Sequence, residues 1–264
     1  AINIFLVFVG YIESDDLHYA AGARGWLQEG LFLGSSHWSI RHCIVLPMAL
    51  AFRLFGESEV TLVLPSLCYA AALLALLACI AARMGGWRAA ALVIALVGSV
   101  PAVATGASLV STDLPEALFV VGSVWAWHRA SNGHGKLLYL LSGAAAGCAI
   151  ITRETAAALL VFYLIAWVAG RSIDFRGFVL FAIGFLAIAG ADWLYLWLMS
   201  GDPLYRLHIA LAGARGDGPQ MEAGTADGSG LDRFGSLVVP RWIRPISVLL
   251  TNQIFGLFFW VCIP

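Results

Sequence analysis

The sequence is poor in charged residues. Only 12% of its 264 residues are charged, whereas 61% are hydrophobic, and an ordinary soluble domain carries about 25% charged residues. A soluble core has no use for this much apolar surface, but a lipid bilayer accommodates it. The net charge of −1 gives no electrostatic basis for binding nucleic acid. The composition therefore argues against a soluble or nucleic-acid-binding protein and predicts an integral membrane protein.

Several chemical signatures are also missing. The chain has no Walker-type or GxGxxG loop, no HExxH or CxxC motif and no serine nucleophile elbow. None of the five cysteines has the paired spacing of a metal site, and most lie in apolar runs, where thiols behave as small hydrophobic groups. We therefore expect no nucleotide site, no cysteine metal site and no disulfide framework.

Charged residues divide the chain into apolar stretches that are long enough, or nearly so, to cross a bilayer as helices. The expected spans are 60–82, 88–110, 113–129, 137–152, 154–170, 177–200 and 245–264, preceded by the end of a first span at 1–11. Because both ends of the sequence fall inside apolar runs, we expect residues 1–264 to form one transmembrane domain at the N-terminal part of a longer chain. The expected fold is an all-α, polytopic transmembrane helical bundle.

Basic residues predict the orientation of this bundle. The short connectors 83–88, 129–136 and 171–176 carry the tightest pairs of arginine and lysine. Positively charged connectors stay on the cytoplasmic side of a membrane. Segments 12–58 and 201–244 are then external loops, and the chain is a multi-pass protein. Its alanine- and arginine-rich composition indicates a bacterial inner membrane.

Two interfacial helices are expected in the first external loop, at 16–30 and 40–55. The second segment is apolar enough to suggest a span, but it is short and contains Arg41, His42 and Pro47. If it were a span, every later connector would change sides. Both segments therefore fit helices that lie along the outer surface of the membrane.

Two adjacent acids, Asp15 and Asp16, open this first loop directly after an apolar run. Neighbouring carboxylates raise the pKa of one member of the pair. A carboxylate in this position could deprotonate a substrate hydroxyl. The alternative is that the acids only cap the following helix in solvent.

Further candidates follow in the same loop. His37, Arg41 and His42 suit binding of a phosphate group. Trp38 would either stack on a sugar ring or anchor the second interfacial helix. His18, His37 and His42 could approach the two acids, so a divalent metal is left open, although their spacing specifies none. No other cofactor is indicated.

Three later positions carry charge inside apolar surroundings. Asp113 begins a span, where it could bind substrate or simply cap the helix. Arg153 and Glu154 interrupt one long apolar stretch, either for a role at the external face or to neutralise each other. Asp192 lies within a span, which marks it as a functional candidate or as the partner of another helix.

An ordered set of short motifs runs through the chain. The motifs are Asp15-Asp16 with Tyr19-Ala20, Leu54–Glu59, Leu64–Leu67, Ser111–Pro115, Gly143–Gly147, Thr152–Glu154 and Gly201–Tyr205. In this order they resemble the lipid-linked-sugar glycosyltransferases of the GT-C superfamily. The closest branch is family 39, which includes protein O-mannosyltransferases and the aminoarabinose transferases that act on lipid A.

The resemblance implies a donor sugar on a polyprenyl phosphate at the extracytoplasmic face, and a lipid, glycan or protein acceptor. It implies Asp15 as the general base, Asp16 as its assistant and inversion at the anomeric carbon. Arg41, Arg153 and Arg206 would hold the leaving polyprenyl phosphate. The other substrate-binding positions would be Tyr19, His37, His42, Asp113, Glu154 and Tyr205.

Two other classes of function stay open from the sequence. A membrane transporter or flippase would show internal symmetry between its halves and acids near the middle of the membrane, and we find no convincing repeat. A non-catalytic subunit of the same fold would tolerate loss of Asp15 and Asp16.

Overall fold

The computed structural model describes residues 10, 15–168, 175–215, 231–234 and 237–240, most of them helical. The helices are α1 (Asp15–Glu29), α2 (His42–Phe55), α3 (Glu59–Gly98), α4 (Pro101–Ala107), α5 (Asp113–Ser131), α6 (Leu137–Thr152), α7 (Ala158–Val168), α8 (Phe175–Phe185), α9 (Ala191–Ser200) and α10 (Tyr205–Arg215). A 3₁₀ turn, Glu154–Ala157, precedes α7, and a π-helical turn, Leu186–Gly190, joins α8 to α9. The predicted segments 1–11 and 245–264 lie outside the described residues.

One part of the chain departs from the all-α expectation. Strands β1 (Leu231–Phe234) and β2 (Leu237–Pro240) pair antiparallel. They lie in the predicted external loop 201–244, which also contains α10. Two residues, Gly-Ser in the sequence, separate the strands, and a two-residue connection that begins with glycine favours a hairpin. The glycine-rich composition just before the strands concealed this pattern.

Two helical segments in the described part of the chain are long and apolar enough to cross a membrane. They are α3 and the continuous stretch Phe175–Ser200. In the most apolar part of α3 only 28% of the residues are buried, and in that of Phe175–Ser200 only 22% are buried. The core helix of a soluble protein would be mostly buried, so this exposure favours contact with lipid. Spans 113–129 and 137–152 fall on α5 and α6; their crossing of the membrane stays a prediction.

Helix α3 reverses direction at a pair of glycines. Gly85 has φ −139° and ψ 16°, and Gly86 has φ 72° and ψ −170°, a conformation open essentially to glycine. Ala107 of α4 packs against Ala70 and Leu73 in the first half of α3, so the chain has returned along its own path. The turn lies in the predicted connector 83–88.

The expected span 88–110 falls on two helices, and its crossing of the membrane stays a prediction. Helix α3 ends at Gly98, and α4 begins at Pro101. Proline lacks a backbone N–H and disfavours helical geometry in the residue before it. It is, however, well tolerated in the first turn of a helix, which is its position in α4.

Helices α6 and α8 pack with their backbones almost in contact. A Cβ atom added at Gly143 would overlap the carbonyl oxygen of Phe181, and one added at Gly184 would overlap that of Leu140. At Gly147 it would lie 3.0 Å from Cβ of Ile188. Small residues permit such close approach of helices in a membrane, as the spacing of Gly143 and Gly147 indicates.

Hydrogen bonds between side chains tie α5 to α6 and α7. The hydroxyl of Ser123 donates to the carbonyl of Ser142, and the hydroxyl of Ser142 donates to the carbonyl of Ser123, both at 2.8 Å. The hydroxyl of Tyr163 lies 2.6 Å from that of Ser123. These buried polar groups satisfy one another, so they hold the bundle without exposing a polar group to lipid.

We predict that Gly143→Leu destabilises the protein by about 1–3 kcal/mol or more, because the side chain must displace the backbone of α8. Thermal unfolding of the purified protein in detergent measures the effect. Gly122→Ala in α5 is the control, since its Cβ would lie 3.8 Å from Cδ2 of Leu76 in ordinary contact. Equal melting temperatures for both variants would contradict the packing described.

Candidate active site

Connectors between different helices meet at one end of the bundle. The backbone N–H of Gly10 donates to the carbonyl of Ser108 at 3.1 Å, which brings the start of the first loop to the α4–α5 connector. Nη2 of Arg206 donates to the carbonyl of Ile151 at 2.6 Å, which brings the start of α10 to the end of α6. The sequence-predicted site residues lie at this end, which we call the connector end.

The two acids of α1 differ in environment. Both lie in the first turn of the helix, where the exposed N–H groups stabilise negative charge. Asp15 is exposed, whereas Asp16 is 1% exposed and accepts a hydrogen bond from the N–H of Leu17 at 3.1 Å. Of this pair, Asp15 is the carboxylate open to a substrate, and Asp16 is part of the packing beneath it.

Arg41 is held by an uncharged partner. Its Nη1 donates to the hydroxyl oxygen of Tyr19 at 2.6 Å. Burial raises the pKa of Tyr19, and nearby Arg41 opposes that rise only in part, so the phenol is protonated at neutral pH. Nε of Arg41 is buried and has no hydrogen-bond partner among the described residues. The Nε atoms of Arg129 and Arg206 are buried and unpartnered in the same way, so it is the uncharged partner of Arg41, and not this nitrogen, that indicates a place for an anionic ligand.

The ring of Trp38 contacts two histidine rings. Its ring stacks on that of His18 at 4.2 Å between centroids and lies 3.7 Å from that of His37. Burial lowers the pKa of His37, and Arg41 acts in the same direction, so His37 is neutral at pH 7. A neutral imidazole retains one N–H, which can donate a hydrogen bond to a phosphate oxygen.

His42 and Asp192 form a buried pair between α2 and α9. Nδ1 of His42 lies 2.5 Å from Oδ1 of Asp192, and both residues are 8% exposed. The rings of Trp26 and Tyr195 lie edge-on to the imidazole at 5.5 and 5.4 Å. Asp192 therefore has a partner. The pair fixes His42, the first residue of α2, against the apolar stretch Phe175–Ser200.

Arg206 joins the largest number of elements at the connector end. Nη1 donates to Oδ2 of Asp192 at 2.9 Å and to the carbonyl of Ile40 at 3.4 Å. Nη2 donates to the carbonyl of Ile151 at 2.6 Å and to Oε1 of Glu154 at 3.3 Å. Two carboxylates thus neutralise its charge, and the guanidinium links α10 with the residue before α2 and the end of α6.

Arg153 is paired with acids of α5. Its Nη1 lies 3.0 Å from Oδ1 of Asp113 and 3.4 Å from Oε2 of Glu116. Thr155 adds a hydrogen bond to Glu116 at 3.0 Å. Asp113 is therefore an ion-pair partner and not simply a helix cap. Glu116 was not among the predicted site residues. It is the single acid in the apolar stretch 114–128, and this position could have identified it.

The segment before α2 is fastened to the C-terminal helices. The hydroxyl of Tyr205 donates to the carbonyl of Gly34 at 2.9 Å, and that of Tyr195 donates to the carbonyl of Phe32 at 2.8 Å. Tyr205 thus positions the loop that carries His37 and Arg41, and its hydroxyl already has a partner in the protein.

The described residues include no group of three or more His, Cys, Asp or Glu side chains arranged to hold a metal ion. His18 and His37 stack on Trp38, and His42 is committed to Asp192. This part of the chain therefore offers no ligand set that fits a divalent metal.

The arrangement combines an exposed base with one cation that no acid neutralises. Among the described residues, Arg41 has no carboxylate within 4.0 Å, unlike Arg153 and Arg206. The charges of Asp15, Glu154 and Arg41 all act on Tyr19 and His37, so the three groups lie around the same region. Such a region could accept a proton and bind a phosphate in one event.

Comparison with known proteins identifies the family. The family model for dolichyl-phosphate-mannose-protein mannosyltransferases matches residues 30–195, more than half of the chain. This range contains Arg41, His42, Arg153 and Asp192, and it begins after the acids of α1. No curated protein and no solved structure matches the chain. The family match confirms the resemblance carried by the ordered motifs. The chain therefore belongs to the dolichyl-phosphate-mannose-protein mannosyltransferase family and is a membrane glycosyltransferase of the GT-C type.

Proposed function

We propose that the protein transfers a hexosyl or pentosyl group from a polyprenyl-phosphate donor to an acceptor hydroxyl at the extracytoplasmic face of a bacterial inner membrane. The acceptor is a lipid, a glycan or a protein. The observation that carries the proposal is an exposed carboxylate, Asp15, and a cation with an uncharged partner, Arg41, whose charges both act on Tyr19 and His37. These two groups supply the two charges that this transfer needs.

Asp15 acts as the general base. It accepts the proton of the acceptor hydroxyl while the hydroxyl oxygen attacks C1 of the donor sugar. A new C1–O bond forms, the bond from C1 to the phosphate oxygen breaks, and the polyprenyl phosphate leaves with the bonding electrons. Attack from the side opposite the leaving group inverts the anomeric carbon. The proton on Asp15 then returns to solvent.

Arg41 stabilises the leaving group. Negative charge grows on the phosphate oxygen as the C1–O bond breaks, and electrostatic stabilisation of such developing charge is usually a large part of catalysis. A guanidinium binds phosphate with two parallel hydrogen bonds. Nη1 of Arg41 is held by Tyr19, so the edge of the guanidinium that carries Nε and Nη2 is the one that offers two parallel donors. His37, neutral at pH 7, adds a further donor.

Arg153 and Arg206 have a more distant part in phosphate binding. Their charges are already matched by Asp113 and Glu116 in one case and by Asp192 and Glu154 in the other. We assign to them the positioning of the connector end. His42, Glu154 and Tyr205 keep the same elements in register.

We predict that Asp15→Asn lowers transfer by roughly 10²–10⁴-fold, the usual contribution of a general base, at unchanged thermal stability. The assay follows radiolabelled sugar from polyprenyl-phosphate hexose and pentose donors in membranes that contain the protein. Glu29→Gln, an exposed acid at the other end of α1, is the matched control and should retain wild-type transfer. Full activity of Asp15→Asn would remove this carboxylate from the mechanism.

Asp16→Asn is expected to behave differently, because its carboxylate is buried. We predict that it lowers the melting temperature of the protein, and that the folded fraction keeps more activity than Asp15→Asn. Thermal unfolding and transfer are measured on the same preparations. A stable but inactive Asp16→Asn protein would reverse the assignment of base and supporting acid.

We predict that Arg41→Gln weakens binding of the donor and slows transfer by about 10–100-fold, because it removes charge-assisted hydrogen bonds worth about 1.5–3 kcal/mol. Competition by unglycosylated polyprenyl phosphate measures the binding part directly. Arg53→Gln, an exposed arginine in the last turn of the same helix, is the control. Equal inhibition of the wild-type and Arg41→Gln proteins would argue against a phosphate site at Arg41.

A further inference from the structure

Two cysteines that are far apart in the sequence lie in contact beneath the candidate active site. Cys43 lies in the first turn of α2, directly after Arg41 and His42, and Cys148 lies in the last turn of α6. Sγ of Cys43 lies 3.7 Å from the carbonyl oxygen of Cys148. The sequence spacing of 43 and 148 gave no reason to pair them.

Both residues are held in place by neighbouring side chains. The hydroxyl of Tyr69 in α3 donates to the carbonyl of Cys43 at 2.5 Å. The hydroxyl of Thr152 donates to the carbonyl of Cys148 at 2.7 Å. The bond from Tyr69 fixes the backbone of Cys43 from another helix, whereas the bond from Thr152 lies within α6.

The position of the pair is also suited to oxidation. Both cysteines are free and partly exposed in the structure. They lie at the connector end, which the proposed orientation places on the extracytoplasmic side, where oxidising conditions allow disulfides to form and persist. The other two described cysteines, Cys68 and Cys79, are exposed on α3.

We propose that Cys43 and Cys148 form a reversible disulfide that links the start of α2 to the end of α6. The oxidant is a disulfide-exchange donor. One cysteine thiolate attacks a sulfur of that donor and releases one of its thiols, and the second cysteine then attacks the mixed disulfide. Two protons and two electrons leave the cysteine pair, and the donor disulfide is reduced to two thiols.

The disulfide would have a direct structural consequence. It joins the segment that carries Arg41 and His42 to the segment that ends in Thr152 and Arg153. Elements of the connector end that the Arg206 network holds by polar contacts would then be held covalently. The bond closes a long loop of chain, which restricts the unfolded state more than a short loop does.

The test uses the chain with Cys68→Ser, Cys79→Ser and Cys262→Ser, which keeps only the pair in question. The purified protein is incubated with oxidised glutathione or with dithiothreitol, blocked with N-ethylmaleimide, digested and analysed by mass spectrometry. We expect a peptide linked through residues 43 and 148 after oxidation, and two maleimide-modified cysteines after reduction. Two modified cysteines under both conditions would overturn the proposal.

Thermal unfolding gives a second readout that is independent of transferase activity. We expect the oxidised protein to unfold roughly 5 °C or more above the reduced one. Cys43→Ser and Cys148→Ser should each abolish this difference, whereas the parent without the other three cysteines keeps it. A linked peptide with no change in melting temperature would contradict the proposed structural consequence of the disulfide. Neither readout depends on whether the proposed sugar donor is correct.

Discussion

The charge of Arg206 constrains the connector end of the molecule. Its guanidinium is mostly buried and binds two carboxylates and two backbone carbonyls that come from three parts of the chain, around residues 40, 151–154 and 192. A buried charge is tolerated only when it is paired and hydrogen-bonded, and the loss of one partner is far more costly than the pair is stabilising. Asp192, Glu154 and the residues beside α2 and α6 must therefore keep their relative positions, which is also what the candidate active site requires.

Sequence reasoning selected charged residues that the structure brings to the connector end, but it did not predict their contacts. The low charge content made each charged residue in an apolar context conspicuous, which is why Asp15, Arg41 and Arg153 could be named in advance. Which charges pair could not be read from the sequence. The partner of His42 lies 150 residues away at Asp192, and only the packing of α2 on α9 brings them together.

Local sequence patterns predicted where helical stretches lie, but they did not predict where these stretches are interrupted. Apolar length and bounding charges indicate helical stretches because both follow from the chemistry of a single segment. The division before Pro101 and the hairpin after α10 depend on one or two residues whose backbone geometry is decisive. Glycines differ in how much they indicate. The four-residue spacing of Gly143 and Gly147 is typical of closely packed helices, whereas nothing in the sequence around Gly86 distinguishes a reversal of the chain from an ordinary connector.

The neutral partner of Arg41 has a bearing on catalysis. If Arg41 formed a direct ion pair with Asp15, it would lower the pKa of that carboxyl and weaken it as a base. It would also use the positive charge that a departing phosphate needs. Tyr19 instead holds the guanidinium through an uncharged oxygen at 2.6 Å. The charges of Asp15 and Arg41 therefore do not neutralise each other before substrate binds. Two carboxylates, in contrast, neutralise Arg206, which suits a residue that positions elements rather than one that meets the substrate.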